Sequence, residues 1–145
     1  MTDWLLDTNI LSAFAPGKPA VPPKVAGWFN KHTDELYLSV ITAAEIGAGI
    51  SKLRRTSSGR RADQLHDWFE GMLSFYIDRV MPFDLDAARV AGVLSDKVQA
   101  LGRHPGFADV AIAAIASSRR LAILTLNLRR FGLLGVETLN PFEAV

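Results

Sequence analysis

The chain has 145 residues, of which 49% are hydrophobic, and its formal net charge is only +1. One domain commonly has this length, so we expect residues 1–145 to form a single domain. The sequence contains no cysteine, which excludes disulfides, zinc-thiolate sites and thiol nucleophiles. With this small net charge the molecule as a whole is not a polycation, so any affinity for nucleic acid must come from an uneven distribution of basic residues.

The sequence also lacks the usual signs of a membrane or secreted protein. No uninterrupted apolar run has the length of a membrane span. The N-terminus carries Asp3 and Asp7, which is unlike the basic-then-apolar pattern of a secretory signal. We therefore expect a cytoplasmic protein that makes no membrane contact.

The first third of the chain contains two predicted strand-then-helix units. Residues 4–6 form an apolar run that stops at Asp7, and the pattern after it favours a helix. A proline-rich loop and a short amphipathic helix follow. Residues 36–40 are typical of a strand. Thr42-Ala43-Ala44-Glu45 has the form of a capping box that begins a helix through about residue 53.

The rest of the chain continues this alternation. The basic residues 54–61 predict an exposed loop or a frayed helix end, and an apolar stripe at helical spacing follows them. The remaining predicted elements are a strand within residues 77–83, a helix capped by Asp84, a helix over residues 107–118, a strand at residues 121–125 and an edge strand at residues 136–139.

This order of elements predicts an α/β fold. Strands that lack a clean polar alternation and are separated by helices are typical of a parallel sheet buried on both faces. Right-handed connections would then give a three-layer α/β/α sandwich with a central, mostly parallel sheet. Ligands of such sheets bind beyond the carboxyl ends of the strands. Asp7 and the residues after the strands at 36–40 and 121–125 should lie at that edge.

Three acidic residues occupy equivalent places in this scheme: Asp7 ends a strand, whereas Glu45 and Asp109 lie in the first turn of a helix. Each can also be explained as a helix cap or as an acid at the positive end of a helix. Their shared place at one edge of the sheet favours a common functional site over three separate helix caps. Clustered carboxylates repel one another, and a divalent cation offsets that repulsion. Oxygen ligands favour Mg²⁺ or Mn²⁺ over zinc, so we expect Asp7, Glu45 and Asp109 to bind Mg²⁺, with Mn²⁺ as an alternative.

Asn127 follows the last strong strand and is a fourth candidate site residue. It could be a neutral ligand or orient a water, although it could equally be an ordinary turn residue. The three histidines, His32, His66 and His104, have no mutual ligand spacing, so we do not expect them to bind the metal.

Several motifs together resemble the PIN-domain toxins of bacterial toxin-antitoxin pairs, which are called VapC-like, and in particular their FitB-type branch. The motifs span nearly the whole chain in the order of the family. They are Leu5-Leu6-Asp7-Thr8-Asn9-Ile10-Leu11-Ser12, Leu38-Ser39-Val40-Ile41-Thr42-Ala43-Ala44-Glu45-Ile46, Phe107-Ala108-Asp109-Val110-Ala111-Ile112-Ala113-Ala114, Leu124-Thr125-Leu126-Asn127 with Phe131, and Leu139-Asn140-Pro141-Phe142.

The resemblance implies a PIN-like fold and a magnesium-dependent ribonuclease that dimerises and is neutralised by a small cognate antitoxin. Asp7, Glu45 and Asp109 match the three principal acids of the family. Asn127 stands where a fourth site residue, often Asp, is found, and a common Asp near the following Phe is replaced in Arg129-Arg130-Phe131. These departures lower the charge of the site and count against tight binding of a second metal ion.

The resulting hypothesis is an RNA-hydrolysing toxin whose catalytic residues are Asp7, Glu45, Asp109 and Asn127. The arginines at 54, 55, 60, 61, 129 and 130 are candidates for binding the RNA backbone. A receiver-like phospho-acceptor domain is an alternative, but it would need an acceptor Asp after its middle strand and a Lys after a later one, where this chain has Ile41-Thr42 and Leu126-Asn127. An inactive PIN-fold binding module is a further alternative.

Overall fold

The computed structural model describes residues 2–57 and 59–144 of the chain. The strands are β1 (Trp4–Leu6), β2 (Leu36–Ser39), β3 (Val80–Met81), β4 (Ala122–Leu124) and β5 (Thr138–Leu139). They form one sheet in the order β3-β2-β1-β4-β5, and every neighbouring pair is parallel. The predicted α/β class is therefore confirmed, and the sheet is parallel throughout.

Helices connect the strands and cover both faces of the sheet. They are α1 (Thr8–Ser12), α2 (Pro23–Lys31), α3 (Val40–Thr56), α4 (Gly59–Phe75), α5 (Leu85–Ala100), α6 (Phe107–Ser118), α7 (Leu128–Gly132) and α8 (Pro141–Ala144). Short 3-10 turns precede β2 and β3.

Alternate side chains of the central strands enter two separate cores. Leu5 and Ile123 pack with α5 and α6 on one face of the sheet. Leu6 and Leu124 pack with α2, α3 and α4 on the other face. Successive residues of a strand point to opposite faces, so this partition follows from the pleat. The result is the predicted three-layer α/β/α sandwich.

Helix α6 is the most deeply buried helix of the fold. Residues 110–116 are all buried, and most of them are alanine or isoleucine. Small side chains allow this helix to lie close to both the sheet and α5, with which it packs along its length. The close packing fixes the first turn of α6, where Asp109 lies, next to the carboxyl end of the sheet.

The start of α3 differs from the sequence prediction. The helix begins at Val40, and Ser39 is its N-cap, with Ser39 Oγ accepting a 3.1 Å hydrogen bond from the amide of Thr42. The capping box formed by Thr42 and Glu45 was therefore a wrong interpretation. Glu45 lies beyond the first turn, so capping does not account for the presence of an acid at this position.

Two further boundaries differ from the predictions. The basic residues 54–61 lie mostly in helices, because α3 continues to Thr56 and α4 begins at Gly59. The strand expected within residues 77–83 is only Val80–Met81, since the preceding residues form a 3-10 turn. A 3-10 turn and a strand cannot be told apart in so short an apolar run.

The chain changes direction across the sheet between β1 and β4. Strands β2 and β3 extend the sheet on one side of β1, and the chain then returns to add β4 and β5 on the other side. Connections leave β1 and β4 toward opposite sides, which creates a crevice at their carboxyl ends. Among the described residues, no helix is both long and apolar enough to cross a membrane.

Candidate metal centre

Asp7 lies at the crevice, directly after β1, and its side chain is fully buried. Its amide donates a 2.9 Å hydrogen bond to the carbonyl of Leu124, which ties it to β4. Asp7 Oδ1 accepts a hydrogen bond from the amide of Thr8, and Asp7 Oδ2 accepts one from Thr125 Oγ1, each at 2.8 Å. Asp7 therefore caps α1 as well as facing the crevice, so the two explanations for this acid do not exclude each other.

Asp109 approaches Asp7 from the first turn of α6. Its side chain is partly buried, and both of its oxygens accept hydrogen bonds from Arg130. The distances are 2.6 Å from Arg130 Nη2 to Oδ1 and 3.2 Å from Arg130 Nε to Oδ2. This is a bidentate pair, the strongest form of carboxylate-guanidinium contact.

Arg130 connects the two aspartates. Its Nη2 atom, already bonded to Asp109, lies 3.3 Å from Oδ2 and 3.4 Å from Oδ1 of Asp7. One positively charged nitrogen is therefore placed between two carboxylates from different elements of the fold. The Arg130 side chain is 35% exposed, so the guanidinium lies at the mouth of the crevice rather than in the core.

Glu45 lies on the same edge but has different partners. Glu45 Oε1 accepts a 2.6 Å hydrogen bond from Thr8 Oγ1, which is also 2.9 Å from Thr42 Oγ1. A line of hydroxyls thus joins Glu45 to α1 and to the start of α3. Within residues 2–57 and 59–144, no three acidic or histidine side chains lie close enough together to hold one metal ion. The structure brings Asp7 and Asp109 together and leaves Glu45 bound to the residue next to Asp7.

Asn127 occupies the N-cap position of α7 without capping it. Its amide donates a 3.0 Å hydrogen bond to Thr125 Oγ1, and its exposed side chain makes no hydrogen bond within the described part of the chain. Thr125 thus connects the backbone of Asn127 to the carboxylate of Asp7. Thr125 was not predicted as a site residue, although its place directly after β4 is a signal that could have identified it.

Burial and charge act against each other on these side chains. Burial raises the pKa of Asp7 above its ordinary value, and the hydrogen bond from Thr125, the charge of Arg130 and the Thr8 amide only partly offset that effect. For Arg130, burial lowers the pKa, but the hydrogen bond to Asp109 and the nearby acidic charges outweigh it and raise the pKa. The guanidinium is therefore firmly charged, and it is the cation that Asp7 and Asp109 face.

The donor set of the crevice suits a divalent cation of the magnesium type. Three carboxylate oxygens, two from Asp7 and one from Asp109, lie within 3.4 Å of the same nitrogen of Arg130. Oxygen ligands of this kind are those that Mg²⁺ and Mn²⁺ prefer. A cation that replaced the guanidinium would meet the carboxylates of Asp7 and Asp109 at once.

Known proteins resemble the chain over almost its full length. The plasmid stability protein StbB of Pseudomonas syringae pv. tomato is 34% identical over 97% of this chain and 99% of its own length. A VapC ribonuclease of Sinorhizobium fredii is 33% identical over 96% of this chain and 97% of its own length.

The fold is similar to that of solved toxin-antitoxin structures. The crystal structure of FitAcB from Neisseria gonorrhoeae matches with a TM-score of 0.83 and 30% identity, covering 97% of this chain and 99% of that one. The family model of the PIN domain matches residues 4–133, which include Asp7, Glu45, Asp109 and Asn127. This match extends over most of the sequence and contains the whole crevice, so the chain belongs to the PIN domain family.

Proposed function

We propose that this protein is a metal-dependent endoribonuclease that acts as the toxin of a toxin-antitoxin pair. The observation that supports the site most strongly is the convergence of Asp7 and Asp109 on one positively charged nitrogen at the crevice. In this proposal the two aspartates bind Mg²⁺, which Mn²⁺ can replace, and Glu45 completes the site. The similarity to a VapC ribonuclease supports the reaction class.

The residues of the site have separate tasks in this mechanism. Thr125 and the Thr8 amide hold the two oxygens of Asp7 in fixed positions, so the carboxylate is oriented before the cation arrives. Asp109 supplies the opposing carboxylate from the rigid start of α6. A divalent cation, when bound, supplies positive charge to the scissile phosphate and lowers the pKa of a water.

Glu45 is the residue that we propose to receive the proton of the attacking water. Its side chain is exposed, and only Oε1 accepts a hydrogen bond within the described residues, which leaves Oε2 for a water. Asn127, exposed at the start of α7, is proposed as an accessory that orients this water.

Exposed arginines are proposed to hold the RNA backbone. Arg54 is paired with Asp63 at 2.6 Å, and Arg130 is paired with the aspartates, so these two are engaged within the protein. Arg55, Arg60 and Arg129 are exposed and remain the stronger candidates. Binding through such contacts should weaken as the salt concentration rises.

We further propose that the protein binds a cognate antitoxin and forms a homodimer or a toxin-antitoxin hetero-oligomer. We also propose that it is cytoplasmic. The FitAcB structure, which is similar in fold over 97% of this chain, and the 30% identity to a protein named toxin FitB support the antitoxin partner. A receiver-like domain is not supported, because its strand order is 2-1-3-4-5, whereas the order here is β3-β2-β1-β4-β5.

The proposal is tested by incubating the purified, antitoxin-free protein with total RNA in Mg²⁺ and, in parallel, in EDTA. We expect new internal RNA ends in Mg²⁺ and none in EDTA, and a strong reduction for Glu45→Gln. A folded protein that leaves RNA intact in Mg²⁺ would contradict the enzyme and favour the inactive binding module. Sequencing of the new ends would identify the RNA class.

A further inference from the structure

We propose that Arg130 is an internal counter-ion of the acidic centre, which a divalent cation must displace in order to bind. Arg130 would thereby set the metal affinity of the site. This inference rests on the proposal that Asp7 and Asp109 hold the metal. It concerns an interaction within the chain that the similarity to other PIN domains does not assign.

The geometry supports direct competition. Arg130 Nη2 lies 2.6 Å from Asp109 Oδ1 and 3.3 Å from Asp7 Oδ2, so a single nitrogen contacts both carboxylates. A metal ion bound by the same oxygens would have to occupy nearly the same space. The two cations also repel each other, so both the volume and the charge make the two states exclusive.

Arg130 satisfies the aspartates in the absence of metal. Asp7 is fully buried, and a buried carboxylate without a cationic partner is costly. Arg130 forms charge-assisted contacts with Asp7 and Asp109, two of them in a bidentate arrangement with Asp109. The fold can therefore keep its acidic centre intact before any metal binds.

The guanidinium also has a path out of the crevice. The Arg130 side chain is 35% exposed and begins in α7, a five-residue helix at the protein surface. Rotation of its own side chain is enough to move the guanidinium toward solvent, while the buried carboxylate of Asp7 stays in place. Displacement therefore requires no unfolding of the sheet or of α6.

The neighbouring residue provides a matched control. Arg129 carries the same charge on the same short helix, is exposed, and makes no ion pair within the described residues. Arg129→Gln and Arg130→Gln remove the same formal charge from nearly the same place. A difference between the two variants therefore reports the direct contact with the aspartates rather than a general change in the electrostatic field.

The experiment is calorimetric titration of Mg²⁺ and Mn²⁺ into metal-free protein, without RNA, for the parent, Arg130→Gln, Arg130→Lys and Arg129→Gln. We expect Arg130→Gln to bind metal about tenfold or more tightly than the parent, a size common for coupled binding equilibria. Arg130→Lys should lie between them, because Lys keeps the charge and loses the fork of donors. Arg129→Gln should bind like the parent.

Thermal melts in EDTA provide the second readout. Arg130→Gln should lower the melting temperature of the metal-free protein, and saturating metal should raise it more for this variant than for the parent. Unchanged or weaker metal binding by Arg130→Gln, equal tightening by Arg129→Gln, or no metal binding by any protein would overturn the proposal. If Arg130→Gln does not fold, Arg130→Lys carries the test, and parent-like affinity of this folded variant would also overturn it.

These results are distinguishable from failure of the proposed function. The titrations contain no RNA, so they can support competition even in a protein that cuts nothing. Conversely, RNA cleavage that depends on Asp109 could be observed while Arg130→Gln leaves the metal affinity unchanged. That combination would retain the nuclease and reject the internal counter-ion.

Discussion

Thr125 Oγ1 donates a 2.8 Å hydrogen bond to Oδ2 of Asp7, although the two residues are 118 positions apart in the sequence. The contact exists because β4 pairs directly with β1, so the residues that follow the two strands are neighbours. Thr125 is fully buried and has its hydroxyl oriented by the amide of Asn127. It therefore fixes the carboxylate that we propose to bind the metal.

Loss of this hydroxyl should impair the site without removing any acid. A hydrogen bond to a charged group contributes about 1.5–3 kcal/mol, so we expect Thr125→Val to lower kcat for RNA cleavage in Mg²⁺ by about tenfold or more. The measurement is the initial rate on one defined RNA, with circular dichroism to establish folding. Thr125→Ser, which keeps the hydroxyl, should retain most of the rate. A folded Thr125→Val enzyme as fast as the parent would show that this orientation is dispensable.

The sequence predicted the framework of the site better than its contacts. Strand ends and helix starts predicted the shared edge of Asp7, Glu45 and Asp109, because the ends of parallel strands must meet there. The partner of the aspartates was not predictable in this way. Arg130 is 123 residues from Asp7 and 21 from Asp109, so its pairing depends on tertiary geometry.

Local signals also misled the prediction at the start of α3. Thr42 and Glu45 have the spacing of a capping box, so this local pattern offered a structural reason for the acid at position 45. The actual N-cap is Ser39, because the strand ends one residue earlier than expected and the helix begins at once. The N-cap therefore lies three residues before Thr42, and this shift moves Glu45 out of the first turn.

The raised pKa of Asp7 predicts a dependence of stability on pH. The pKa of the Asp7 carboxyl is raised above its ordinary value of 3.8 in the folded protein. At pH values above 3.8, the folded protein therefore binds more protons at this residue than the unfolded chain does. The free energy of unfolding of metal-free parent protein, relative to Asp7→Asn, should therefore increase as the pH falls from 7 toward 4. Urea unfolding in EDTA at several pH values measures this difference. A relative loss of stability on acidification would mean that the pKa is lowered instead.

The close packing of α6 predicts sensitivity to added volume. Ala113 lies on α6 and is fully buried, whereas Ala88 lies on α5 and is exposed. Overpacking of a dense core costs about 1–3 kcal/mol, so Ala113→Leu should lower the free energy of unfolding by that amount. Ala88→Leu, the matched surface substitution, should change it by less than about 0.5 kcal/mol. Equal effects of the two variants in urea unfolding would indicate that α6 is packed more loosely than described.

The central claim is that the carboxylates at the crevice bind the catalytic metal, and RNA cleavage by Asp109→Asn tests it most directly. Asn keeps the size of the side chain and removes its charge, while Asp86→Asn makes the same change at an exposed position in the first turn of α5. In Mg²⁺, we expect Asp109→Asn to lose at least about 100-fold in cleavage rate, beyond the loss common for residues that only support a ligand, and Asp86→Asn to match the parent. A folded Asp109→Asn protein that cuts RNA at the rate of the parent would contradict the account.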